Sequence, residues 1–72
     1  DCPFKILSER EMQISLMIAS GKKIQLISDL LCVSPKTVNT YRYRIFEKLH
    51  IDNDVELALL AVRHNLVENH NL

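Results

Sequence analysis

Apolar residues along this chain recur at three- and four-residue spacing, and no alternating run is long enough to predict a strand. Four helical segments follow from that pattern. The first begins at Ser8, where S-E-R-E is a capping box: Ser8 accepts from the backbone amide of Glu11, and the Glu11 side chain reaches back. Leu7 and Met12 are placed as a hydrophobic staple, Ile14, Leu16, Met17 and Ile18 supply the apolar face, and Gly21 ends the helix in a left-handed conformation. A second, shorter helix spans about Ile24 to Leu31, with Lys22 and Lys23 where a capping side chain is usual. The third has the clearest start: Ser34 is the N-cap, Pro35 suits the first helical position, and Val33 and Val38 form a second staple. At about 100° per residue, Val38, Tyr41, Ile45 and Leu49 share one stripe with Phe46 at its border, and Arg42 falls near the apolar edge, to snorkel outward or pair with an acid. The fourth is expected from Asn53, boxed with Glu56, to about Asn65, and is apolar almost all round. The prediction is all-α.

Composition narrows the class. At 72 residues, 47% hydrophobic and 25% charged, with a single glycine, the sequence reads as one mostly helical domain with a thin stability margin. We expect residues 1–6 to be a linker remnant, 7–66 the domain and 67–72 a C-terminal tail, DCPFK having the look of the cut end of a linker after an upstream domain. Cys2 and Cys32 have no metal-ligand spacing and are weak evidence for a disulfide, so a reducing cytoplasm is the simpler compartment; Cys32 reads as a small core residue. No apolar run approaches the roughly 20 residues of a membrane span, and no signal peptide is apparent. His50, His64 and His70 read as surface or capping groups rather than metal ligands, and no cofactor is expected. Acid, base and nucleophile cannot be assembled on neighbouring positions, which argues against an enzyme.

The charge distribution changes the picture more. Net charge is zero, yet residues 36–48 carry four basic side chains and one acidic, and residues 49–72 carry one basic and four acidic. A local basic surface matters more for anion binding than the total. Two helices joined through Cys32, Val33 and Ser34, the second amphipathic with a basic polar face, match a helix-turn-helix. Ile27, Leu31, Val33, Val38 and Tyr41 fall at its core positions and Ser28 at its small-residue position, whereas Cys32 stands where glycine is frequent. Such a helix fits the major groove of double-stranded DNA, and its N-terminal amides can hold a phosphate. Asn39, Thr40 and Tyr43 lie near the centre of the polar face, as base readers; Lys36, Thr37, Arg44 and Lys48 lie on its flanks, where phosphates would be, with the Tyr41 hydroxyl at the edge. A basic face is most often merely solvated. Here cap, turn, core positions and charge bias agree.

The segments LSEREMQISLMIASG and ISDLLCVSPKTVNTYRYRIFEKL together resemble the LuxR-type helix-turn-helix, the output domain of NarL and FixJ response regulators and of quorum-sensing regulators, over about residues 6 to 66. SPKTVNTYRYRIFEKL and DVELALLAVRH look particularly like the GacA/UvrY/LetA group. The resemblance implies a four-helix domain whose third helix reads the major groove at a promoter inverted repeat, and a homodimer through the fourth, for which Val55, Glu56, Leu59 and Val62 are the expected residues. It also implies an upstream receiver domain and a sensor kinase. Leu26 departs from the usual polar or acidic residue and Ser28 from the usual alanine. Two rivals stand beside this reading: an autoinducer-responsive regulator of the same fold, and a protein-interaction module working through the last helix.

Overall fold

The computed structural model describes residues 2–68. A one-turn 3-10 helix, Pro3–Ile6, leads into α1 (Glu9–Ala19), α2 (Ile24–Leu31), α3 (Pro35–Leu49) and α4 (Asp54–Arg63). The described residues contain no strand, and the chain is all-α. α1 packs on both α3 and α4, while α2 packs on α3. The radius of gyration is 11.5 Å.

The helices start where local chemistry prescribes. Ser8 Oγ accepts from Glu11 N at 3.1 Å and Glu11 Oε1 from Ser8 N at 2.9 Å, closing the expected box. Ser34 Oγ accepts from Thr37 N at 3.1 Å at the head of α3. At α4, Asn53 Oδ1 accepts from Glu56 N at 2.9 Å, but the Glu56 carboxylate takes the Asn53 side-chain amide rather than its backbone N–H, so the box expected there is not reciprocal. α2 has no side-chain cap.

All four helices end in one way. A left-handed residue follows each: Cys32 (φ 57°) and His50 (φ 56°) cap α2 and α3 directly, and Gly21 (φ 91°) and Asn65 (φ 59°) lie one residue beyond the caps of α1 and α4, Ser20 and His64. The amide after it then donates back to a carbonyl five residues earlier, as Val33 does to Ser28 at 3.0 Å, Ile51 to Phe46 at 3.0 Å and Leu66 to Ala61 at 2.8 Å. Val33, Ile51 and Leu66 thereby fold an apolar side chain onto the core. Only Gly21 was foreseen. Cys32, expected in the core, is exposed, because the left-handed turn sends Val33 inward in its place. α4 likewise stops at Arg63, two residues short of the expected end, when Asn65 reverses the chain.

Ile14, Ile18, Ile27, Val38, Ile45, Phe46, Leu49, Leu57 and Ala61 form the core, joined by Phe4 at 1% exposure. Phe4 lies within the stretch read as linker, and the edge of the His64 ring meets it at 6.5 Å between centroids. Val67, read as the start of a tail, also packs against the core. Asp1 and residues 69–72, His70 among them, lie outside the described residues. Two polar side chains share the buried face of α1: Glu11 and Ser15, the latter with no hydrogen-bond partner for its hydroxyl.

Candidate nucleic-acid interface

α3 has 15 residues, about 22 Å at 1.5 Å per residue, enough to lie along a major groove. Val38, Ile45, Phe46 and Leu49 hold its inner face to the core. Outward, Lys36, Thr40, Tyr43 and Arg44 are exposed, and Thr37, Asn39, Tyr41, Arg42 and Lys48 are half-buried. Base-reading and phosphate-binding candidates therefore share one rigid helix, except that their side chains are not equally free.

Thr37 is bound into the cap, its hydroxyl 3.0 Å from that of Ser34. Thr40 donates its hydroxyl to the Lys36 carbonyl at 3.0 Å, which leaves its methyl and oxygen lone pairs for a partner. Tyr43 is 64% exposed, the most open aromatic ring of the helix. The Arg44 guanidinium lies 5.3 Å from the Tyr41 ring centroid, and among the described residues neither it nor Lys36 forms an ion pair. A stacked guanidinium keeps its donors outward while losing less freedom on binding an anion.

Two other cations on α3 are committed elsewhere. Lys48 Nζ, expected on a phosphate, donates to Glu11 Oε1 at 2.8 Å, with the Glu11 side chain only 3% exposed. That bond, with the Ser8 amide assisting, holds the Glu11 carboxyl below the usual carboxylate value against the opposing effect of burial. Arg42 Nε donates to Asp54 Oδ1 at 2.7 Å, and this bond above all raises the guanidinium pKa further. Of the two alternatives open to Arg42 from sequence, it pairs with an acid, the first residue of α4, while Glu11 belongs to Lys48.

On α4, Leu57 and Ala61 face inward, while Val55 and Leu59 are 68% and 59% exposed. Glu56 and Val62 are half-buried. One turn apart, Val55 and Leu59 form a small apolar strip on the side away from the core. Sequence reasoning missed a second strip: Leu26 and Leu30 on α2, at 45% and 53% exposure. Their i,i+4 spacing is the signal that could have found it. Among the described residues no group of His, Cys, Asp or Glu could hold a metal, and no helix is long and apolar enough to cross a membrane.

A short helix packed on a longer one through a tight turn, with the longer helix presenting a basic face, defines a helix-turn-helix regulatory domain. Residues 5–61 match the model for bacterial regulatory proteins of the luxR family, and the chain belongs to that family. Membership places it among regulatory proteins rather than enzymes. It is similar to the response regulator GacA of Pseudomonas aeruginosa, 74% identical over 68 residues, which cover 94% of this chain and 32% of that protein. The response regulator GacA of Pseudomonas protegens is 71% identical over the same shares, and the response regulator UvrY of Escherichia coli K12 is 61% identical over 92% of this chain and 30% of its own length. The chain spans about a third of these relatives.

Proposed function

We propose that this chain is the sequence-specific DNA-binding output domain of a two-component response regulator that controls transcription in the cytoplasm. α3 enters the major groove. Asn39, Thr40 and Tyr43 read bases, and Lys36, Thr37, Tyr41 and Arg44 hold phosphates. Lys48 sits on the same flank, with its ammonium shared with Glu11 and its phosphate contact correspondingly weaker. Val55, Leu59 and Val62, with Glu56 beside them, join two copies through α4. The dimer sets two α3 helices about 34 Å apart, one turn of B-DNA, and so calls for an inverted repeat. An upstream receiver domain and a sensor kinase govern it, as the names of the relatives support.

The observation that carries the reading is the outer face of α3, where Lys36 and Arg44 are exposed and, among the described residues, form no ion pair, beside the open Tyr43 ring. Relatives named as response regulators weigh against an autoinducer-responsive regulator. The exposed strip on α4 fits a homodimer as well as an interaction module, and the basic helix favours DNA. Fluorescence anisotropy of the 72-residue chain against an inverted-repeat duplex and a scrambled duplex, across a salt series, tests it. Tighter binding to the repeat with a steep salt slope for both is expected. Equal, weak and salt-insensitive binding would put the interaction module first.

A further inference from the structure

Arg42 is the one basic residue of α3 that points along the helix surface into a built cage. Its guanidinium carbon lies 5.0 Å from the centroid of Phe46 and 5.6 Å from that of Tyr43, and those two rings meet edge to face at 6.3 Å. Phe46 is buried and fixed by the core, whereas Tyr43 is the exposed member. Arg42 is itself held by the 2.7 Å bond from Nε to Asp54, the first residue of α4. A chain of contacts thus runs from α4 through Arg42 to the Tyr43 ring. An exposed tyrosine on a lone helix samples several rotamers. Here the Tyr43 ring, though 64% exposed, meets Phe46 edge to face with the Arg42 guanidinium beside both rings, contacts that favour one rotamer over the others, and ordering before binding lowers the entropic cost of contact.

We propose that Arg42 is a positioning residue, which presets Tyr43 for base contact and is itself held by Asp54, so that the fourth helix and the reading surface are coupled. This rests on the assignment of Tyr43 as a base reader. Arg42 touches no phosphate in this scheme; its charge is spent on Asp54. The coupling makes a prediction opposite in sign to simple electrostatics. Removing the Asp54 carboxylate takes the chain from zero net charge to one positive, which by charge alone tightens binding to every duplex. Loss of the Tyr43 rotamer instead weakens the specific complex.

The test is anisotropy with two probes: the duplex that the wild-type chain enriches from a random-sequence pool, and its scrambled counterpart. Four variants are compared with wild type: Asp54→Ala, Arg42→Lys, Tyr43→Ala, and Asp54→Ala combined with Tyr43→Ala. Asp54→Ala and Arg42→Lys are each expected to lower the ratio of specific to scrambled affinity about two- to fivefold, the scale of an exposed cation–π contact, with the salt slope unchanged. Arg42→Lys keeps the charge and loses the planar stack, so it tests the cage without the change in net charge. In the Tyr43→Ala background, Asp54→Ala is expected to cost nothing further. Equal tightening on both duplexes by Asp54→Ala, an unchanged ratio in Arg42→Lys, or additive losses in the double variant would overturn the coupling while leaving Tyr43 a reader. An unchanged ratio in Tyr43→Ala alone would overturn the base assignment, and the coupling with it.

Discussion

Lys48→Met separates a structural cation from a DNA-binding one. Methionine keeps the unbranched stem and removes the ammonium that meets Glu11 at 2.8 Å. Glu11 is left with a side chain 3% exposed and with Ser8, whose amide donates at 2.9 Å, as its remaining partner. Stripping the partner from a fully buried pair costs about 3–5 kcal/mol. Here Lys48 is 38% exposed and the Ser8 bond survives, so the expectation is about 2–3 kcal/mol at neutral pH. That is a large share of the roughly 4–11 kcal/mol expected of a domain this size, and corresponds to a fall in Tm of roughly 10–20 °C. The loss should also depend on pH. Glu11 titrates below its ordinary 4.5 in the folded wild type, so its contribution is present above the unfolded value and is lost as pH falls through the folded one. In the variant the largest lowering influence is gone and burial raises the pKa, so Glu11 takes up its proton sooner. The difference between the two proteins should therefore shrink between about pH 7 and about pH 3. Urea denaturation followed by circular dichroism measures both quantities. A cost below about 0.5 kcal/mol, the level of an ordinary surface pair, or an identical cost at the two pH values would refute the argument.

Asn39→Ala should relax sequence preference at one position of each half-site by roughly 1–3 kcal/mol, while Arg44→Ala should weaken binding to all sequences and make the salt slope shallower by about one; an unchanged slope for Arg44→Ala would remove its phosphate assignment. Leu59→Asp, at a position 59% exposed, should leave the thermal transition in place and impair dimer formation on DNA, and sedimentation identical to wild type would exclude α4 as the interface. Cys32→Gly should stabilise the domain by about 0.5–1 kcal/mol in urea, since glycine adopts the left-handed turn without the Cβ clash that outweighs its extra unfolded-state entropy.

The sequence by itself determined where α1, α3 and α4 start and which side of α3 faces the core. Capping by Ser8, Ser34 and Asn53 joins residues three apart, as the hydrogen bonds show, and such short-range geometry is carried by spacing alone. The outer face of α3 was legible for the same reason, since a helix of 15 residues fixes which side chains lie together. Helix ends were harder, because only Gly21 announces a left-handed residue; the signal at Cys32, His50 and Asn65 was the apolar residue that follows each. What only the tertiary structure decided was which charges are free. Lys48 and Arg44 look alike on a wheel, yet one meets a carboxylate 37 residues away and the other is open to solvent. Arg42 finds Asp54 across 12 residues, and Phe4 leaves a linker-like stretch for the core. No local periodicity encodes these pairings, because they exist only once α1 and α4 have packed and brought distant side chains within bonding distance of each other.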